Sequence, residues 1–478
     1  MTARRDQSGP TTIWWIRRDL RLHDNAALAA ALEAGSRVVP LFIFDPALLV
    51  APTASSRRVS FLCAGLRALG EDVLARGGRL IVRRGPPDEV LAQVVRDTGA
   101  SAIAAQDDVS PYARRRDARV AAHLPLRLVG GLTVLPPDRV LKRDGTPYTV
   151  FTPFRRAWEE TFATEHAAPI PAPLRFATPD GLASEPIPIS DQRFDEFPPG
   201  ERHARTRLDA FTRGAQAAIY RYASARDRVD VDGTSRLSPY LRFGMISPRD
   251  VMAAAHRAMR SAPDAASRRS AGIYVGELIW REFYVSILRH FPRVLGREFR
   301  AGLRGIRWDD DEAAFAAWRT GHTGVPIVDA AMRHLAQTGW MHNRARMIVA
   351  SFLVKDLLID WRRGEQHFMH FLLDGDPASN NGGWQWTAGV GTDAAPYFRV
   401  FNPVLQAKKA DPRGDFVRRW VPELARVPQA YLHEPWKMPT DTQRAAGCRI
   451  GEDYPPPIVD HAQARVRALA RYRDVRGR

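Results

Sequence analysis

Residues 12–44, TIWWIRRDLRLHDNAALAAALEAGSRVVPLFIF, carry the pattern that decides the fold. Thr12–Ile16 and Val38–Phe44 are runs of β-branched, aromatic and aliphatic residues without polar alternation, which is how strands buried on both faces read. Between them Ala26–Ala34 is alanine- and leucine-rich and long enough for a crossover helix, so the stretch spells strand, helix, strand. The pattern continues outward. Leu80–Val82, Ser101–Ala104 and Leu126–Leu128 are further strands, and Arg57–Arg76, Asp88–Thr98 and Ala113–His123 are helices that cover the sheet. A parallel, Rossmann-like α/β domain is expected over residues 10–140. The turn after the first strand reads Arg17-Arg18-Asp19-Leu20-Arg21 and has no GxGxxG, so the sheet alone argues only weakly for a dinucleotide.

Residues 141–200 read as a connector whose second half is rich in proline, including Pro169, Pro171, Pro173, Pro186 and Pro188. From 201 to 478 strand signals fade and helical periodicity takes over, in Gly272–His290, Asp311–Thr320, Ile327–Gln337 and His342–Asp360. A second, all-α domain follows. At 478 residues two cores are the default.

The formal charge is +17. A polyanion, nucleic acid before anionic membrane, is the partner this charge suggests, although an arginine-rich surface explains it equally well. Cys63 and Cys448 are the only two cysteines, too few for a disulfide framework or a thiolate metal site, and no metal is expected. Ile348–Leu358 is interrupted by Lys355 and Asp356 and is too short to span a bilayer. Met1–Pro10 lacks the apolar core of a secretory signal, so the cytoplasm is the expected compartment.

Several segments mix residue types that an ordinary core does not need. On Gly272–His290, Glu277, Trp280, Arg281 and Tyr284 fall at i, i+3, i+4 and i+7 and share one helical face. A surface Glu277–Arg281 pair beside a core tryptophan would explain them too. Trp340, Asn343 and Met347 repeat the spacing, with Arg344 and Arg346 beside them. Such a face can bury a flat heteroaromatic ligand and still offer polar contacts. Asp374-Gly375-Asp376-Pro377-Ala378-Ser379-Asn380-Asn381-Gly382-Gly383-Trp384-Gln385-Trp386 packs turn-forming residues among acids, amides and two indoles, a costly composition for a plain surface loop. Thr234-Ser235-Arg236-Leu237-Ser238 offers hydroxyls and backbone N–H groups ahead of the helical stretch Pro239–Phe243. That arrangement can cradle a pyrophosphate or simply cap a helix.

The strings WWIRRDLRLHDNAAL, DGTSRLSPYLRFG, ELIWREFY, GWMHNRARMIVASFLVKDLLIDWRRGE, DGDPASNNGGWQW and GTDAAPYFRVFNP, in this order, resemble the photolyase/cryptochrome family. The resemblance is to its class I microbial DNA photolyases, which repair cyclobutane pyrimidine dimers (CPDs). It implies an α/β antenna-binding domain and a helical domain that holds FAD, active as the reduced anion. It implies that Tyr222, Thr234, Ser235, Arg236, Leu237 and Ser238 hold the cofactor's phosphates and neighbouring groups. Tyr274 belongs to the same site, at a position where many relatives have tryptophan. Arg346, Asp374, Gly375 and Asp376 are implied near the flavin ring, and Asn380 beside its N5. Glu277, Trp280, Arg281, Tyr284, Asn343, Arg344, Met347, Trp386, Gln406 and Arg226 are implied as contacts to UV-damaged DNA and its dimer. Trp384, Trp361 and Trp308 match the family's electron-transfer chain.

The antenna motif departs from its relatives. DDVSPYARRRD has Ala113 where folate-binding members carry an acid and Ser110 where deazaflavin-binding members carry a glutamate, so a second chromophore of either type is implied without a choice between them. The alternatives are a cryptochrome-type signalling photoreceptor, a (6-4) photolyase, and a basic flavoprotein that binds nucleic acid without photochemistry. Relatives that repair (6-4) products place histidines at the positions of Asn343 and Met347. A monomer is expected.

Overall fold

The computed structural model describes residues 9–51, 54–165, 168–396 and 398–476. Outside them lie most of Met1–Pro10, two residues of the expected domain 10–140, two of the connector 141–200, Tyr397 within GTDAAPYFRVFNP, and residues 477–478. By its contacts the chain divides into two compact units. One comprises 1–220 and 235–292, the other 221–234 and 293–478. The helices expected in one domain from 201 onward are thus shared between both.

The first unit is built on a five-stranded, all-parallel sheet in the order β3-β2-β1-β4-β5. The strands are β1 (Thr11–Ile16), β2 (Arg37–Phe44), β3 (Ile81–Arg84), β4 (Ala102–Gln106) and β5 (Leu126–Val129). Each lies within two residues of its sequence reading. Ile13 of β1 stands opposite Val39 of β2 and Ile103 of β4. With Trp15, Leu41, Ile43, Ile81, Leu91 and Val94 they form one buried core. Parallel strands need such apolar runs because crossover helices cover both faces. The helix Ala26–Ala34 starts where Asn25 accepts the Leu28 N–H at 3.0 Å.

The proline-rich connector is not a free linker. Its backbone docks at intervals: Asp24 N–H donates to Ile170 O (2.7 Å), Val38 N–H to Ala177 O (2.8 Å) and Glu185 N–H to Val82 O (2.9 Å). Proline cannot donate to a sheet, yet the residues between the prolines can. The unit closes with the helices Glu201–Thr212, Ser238–Phe243, Pro248–Arg260 and Ala265–His290. The last begins seven residues before the expected Gly272, because Asp264 caps it by accepting from Ser267 N–H at 2.7 Å.

The second unit is helical, with Glu312–Thr320, Pro326–Thr338, Asn343–Ser351, Trp361–Phe371, Pro377–Ala388, Pro403–Ala410 and His461–Arg476 as its main helices. Two expectations need correction. The continuous helix His342–Asp360 does not form: α-helix runs from Asn343 to Ser351, a π turn covers Phe352–Asp356, and Leu358 has φ of 53°. The wide turn accommodates two buried charged residues. Lys355 donates to Ala388 O at 3.2 Å, and Asp356 pairs with His461 Nδ1 at 2.5 Å. Likewise, the segment expected to be rich in turns is mostly the helix Pro377–Ala388. Asp376 caps it by accepting from Ala378 and Ser379 N–H, both at 3.1 Å, and Pro377 occupies its first turn.

Candidate flavin and lesion-binding residues

In the second unit some of the expected flavin residues, Arg346, Asp374 and Asn380, are each held by a neighbouring side chain. Arg346 reaches back to Met341 O at 2.8 Å and forward to Asp374 Oδ2 at 2.7 Å. Asp374 is buried, and its other oxygen, Oδ1, has no hydrogen-bond partner among the described residues. Asn380 donates from Nδ2 to Glu365 O (3.0 Å) and Glu365 Oε1 (3.3 Å). Burial pushes the Glu365 carboxyl up to about 7, partly opposed by the Asn380 hydrogen bond. Asn381 Nδ2 and Trp384 Nε1 are also buried without partners. Leaving one such group unmade costs about 1–3 kcal/mol, so three around one helix indicate a polar ligand. Of the three, Asp374 Oδ1 is the acceptor held beside Arg346, and an acceptor there suits a donor on a flavin.

The three tryptophans expected to carry electrons pack in one hydrophobic core, Trp384 and Trp361 within it and Trp308 half-buried against it. Trp384 lies against Trp318 and Phe368, with centroids at 6.1 and 5.0 Å. It also lies against Gly364, where a Cβ would stand 2.1 Å from the indole. Only glycine lets the ring approach that closely. Trp361 Nε1 donates to Glu298 at 3.3 Å, and Trp308 meets Tyr472 edge-on at 6.4 Å.

Trp340, Asn343 and Met347 do not share a helical face, since the helix starts at Asn343 and Trp340 precedes it. Asn343 and Met347 remain one turn apart, with Nδ2 at 3.9 Å from the sulfur. His342 is the cap, and its Nδ1 accepts the Arg344 N–H at 3.1 Å. Arg344 pairs with Asp227 at 2.5 Å, and Arg226 lies 3.9 Å from the same carboxylate and over the Tyr222 ring. Trp386 is half-buried near the end of Pro377–Ala388, and Gln406 sits on Pro403–Ala410. Gly375 N–H donates to Leu372 O in the turn ahead of Asp376. Thr234 precedes this run in the sequence and is half-buried.

In the first unit the stripe on Ala265–His290 is held from within. Trp280 stacks on Phe151 at 3.7 Å and 8°, and its ring also meets Tyr284 at 5.6 Å. Arg281 donates to Leu132 O at 2.5 Å. Glu277 is half-buried on the same helix. Tyr274, one turn earlier, is buried against Phe211, and burial pushes its phenol up to about 12 despite a hydrogen bond with Ser235. Arg236 has φ of 51°, pairs with Glu196 and lies over Phe197; Leu237 then leads into the helix Ser238–Phe243. Glu365, Gly364, Asp227 and Trp318 went unnoticed in the sequence. Glu365 and Gly364 stand in the quoted WRRGE string, but no local spacing ties them to Asn380 and Trp384.

The antenna motif folds as a helix start. Ser110 caps Pro111–Ala121 by accepting from Ala113 N–H at 3.3 Å, and Tyr112 donates to Asp45. No group of three or more metal-ligating side chains occurs among the described residues, and no described helix is long and apolar enough to cross a membrane.

A parallel α/β unit and a helical unit with unpartnered buried polar atoms around one helix define a two-unit protein with a candidate ligand site in the helical unit. Family comparison makes that specific. Residues 12–174 match the DNA photolyase family model, and residues 274–474 match the FAD binding domain of DNA photolyase. The deoxyribodipyrimidine photo-lyase of Salmonella typhimurium is 41% identical over 98% of this chain and 99% of its own. A bacterial class III photolyase from Agrobacterium tumefaciens superimposes with a TM-score of 0.91 at 39% identity, covering 100% of both chains. A Synechocystis cryptochrome gives 0.88 at 31%, covering 96% of this chain and 99% of its own. The chain belongs to the DNA photolyase family and carries that family's FAD-binding domain.

Proposed function

We propose that this chain is a deoxyribodipyrimidine photo-lyase, which reverses CPDs in UV-damaged DNA under blue light. The observation that carries the reading is the Arg346–Asp374 pair, with buried Asp374 Oδ1 left without a hydrogen bond among the described residues, in the segment that matches the family's FAD-binding domain. Bound FAD supplies the light absorption and the electron. Asn380 commits its Nδ2 to Glu365 and so offers Oδ1, an acceptor suited to a ring N–H. Asp374, held by Arg346, offers its second oxygen to the same cofactor, to which Gly375 and Asp376 are also assigned. Motif matching assigns Tyr222, Thr234–Ser238 and Tyr274 to the cofactor as well, and Trp384, Trp361 and Trp308 to its electron supply.

Glu277 accepts a hydrogen bond from a dimer base, and Trp280 and Trp386 form an apolar wall for it. Arg226, Arg281, Arg344 and Gln406 contact the strand. The lesion leaves the duplex to react; base flipping, of which photolyases are a known case, costs least where pairing is already weak. Residues 10–140 hold a second, light-gathering chromophore of deazaflavin or folate type, 141–200 connect, and 201–478 carry FAD and DNA. The protein acts as a cytoplasmic monomer.

Asn343 and Met347 favour CPDs over (6-4) products, because neither can supply the acidic proton that returning a hydroxyl group requires. His342, next to Asn343, is the helix cap, and its Nδ1 accepts the Arg344 N–H. The test is repair by reduced enzyme under blue light on oligonucleotides bearing each lesion. CPD reversal without (6-4) reversal, and at least tenfold slower CPD repair by Glu277→Ala, are expected. Efficient (6-4) reversal, or an unaffected Glu277→Ala, would overturn the assignment.

A further inference from the structure

The segment expected to connect the two domains contains the helix Phe151–Glu165, which lies in the first unit. Its buried residues are Phe151, Phe154 and Trp158, at i, i+3 and i+7, so they form one face. Each of the three meets the helix Ala265–His290. Phe151 stacks on Trp280, Phe154 packs against Phe283 with centroids 5.3 Å apart, and Trp158 Nε1 donates to Glu282 Oε2 at 3.2 Å. Glu282 is buried at 3% exposure. The same oxygen also accepts from Val134 N–H at 3.0 Å and Leu135 N–H at 3.3 Å, so one atom ties a loop and a helix to the residue two places beyond Trp280.

These contacts orient a ring. The Phe151 and Trp280 planes are 8° apart with centroids at 3.7 Å. Aromatic pairs otherwise prefer offset or edge-on arrangements with centroids about 4.5–7 Å apart, so the close, nearly parallel stack is held by what surrounds it. Phe283 meets Phe151, Phe154 and Trp280 alike, and Arg281, next to Trp280, is anchored to Leu132 O. The Trp158–Glu282 bond then fixes the two helices two turns further along Phe151–Glu165. A buried carboxylate is a costly anchor: burial pushes Glu282 up to about 7, opposed by Arg281 and by the three hydrogen bonds. Trp280 stays half-buried, which leaves part of the indole accessible.

We propose that Phe151 and Glu282 are positioning residues of the lesion site, which set the plane of Trp280 so that the dimer's bases pack flat against it. The proposal rests on the reading of Trp280 as a wall for the dimer. Its test is binding of the flavin-loaded full chain, in the dark, to oligonucleotides with and without a CPD. Phe151→Leu is expected to weaken CPD binding about tenfold, the scale of one lost base–aromatic stack, and to leave undamaged-DNA binding and flavin absorbance unchanged. Glu282→Ala should do the same. Glu282→Gln, whose side-chain oxygen can take the place of Oε2, should bind within about threefold of wild type. In a Trp280→Leu background, itself weakened, Phe151→Leu should cost nothing further, because a residue that acts through Trp280 has nothing left to position. If Trp280→Leu loses the lesion but Phe151→Leu binds it at the wild-type level, or the two losses add, the proposal alone is overturned. Wild-type CPD binding by Trp280→Leu would overturn the reading of the wall and the proposal with it.

Discussion

The helix Pro377–Ala388 in one unit and the helix Ala265–His290 in the other carry similar residue types, yet the residues assigned to cofactor and to lesion are held differently. Around Pro377–Ala388, Asp374 Oδ1, Asn381 Nδ2 and Trp384 Nε1 are buried with nothing to bond. Along Ala265–His290, Arg281 is tied to Leu132 O and Trp280 is stacked on Phe151, and the buried atoms without a hydrogen bond among the described residues, Ser286 Oγ and His290 Nε2, lie beyond that stripe toward the helix end. Glu282, behind the stripe, accepts from Val134, Leu135 and Trp158. Left unmade, the three bonds around Pro377–Ala388 would cost several kcal/mol, a cost that a bound ligand or water offsets. A stripe already held by its own unit is a rigid surface suited to a substrate that comes and goes, since little ordering remains to be done on binding.

The contrast breaks apart most directly by mutation. Asp374→Ala removes Arg346's partner and the free acceptor together, so the purified variant should contain less than about a tenth of the wild-type flavin, as the loss of a buried charged hydrogen bond predicts. Glu277→Ala should keep its flavin and lose repair. Absorbance at purification checks both, and equal flavin loss in the two variants would erase the distinction.

A smaller effect concerns Lys355, buried at 1% exposure beneath the Tyr472 ring, with its Nζ 3.5 Å from the ring centroid. Burial holds its amine down to about 7, against an ordinary 10.5. Between those values the unfolded chain binds a proton that the folded chain does not, so stability rises with pH across that window. Below pH 7 both states are protonated and the full cost is present. Lys355→Met, similar in volume, should therefore stabilise the protein by on the order of 3 kcal/mol at pH 6. The advantage should shrink as pH climbs toward 10, as read by denaturant unfolding. A pH-independent difference would show that Lys355 is not the titrating group.

The sheet was legible because its strands are unbroken apolar runs, a pattern that few other structures produce, and the helix Ala26–Ala34 has the bounds its composition suggested. The helix Pro377–Ala388 was hidden by Asn380, Asn381, Gly382 and Gly383, all poor helix formers, although the Asp376-Pro377 start signal stood in plain view. Packing of Trp384 into the core overrides that local preference. The break after Ser351 was invisible because Lys355 and Asp356 find their partners, Ala388 and His461, far along the chain. Glu365's hold on Asn380 spans fifteen residues and two helices, a distance at which sequence spacing carries no information.

The central claim, a light-driven enzyme whose flavin is recharged through tryptophans, meets its most direct test in absorbance under blue light. The purified chain should show oxidised FAD that bleaches on illumination with an external reductant. Trp308→Phe should keep the flavin, fail to bleach, and still repair CPDs once chemically reduced. A colourless protein that takes up no FAD, or a Trp308→Phe variant that bleaches at the wild-type rate, would contradict the account.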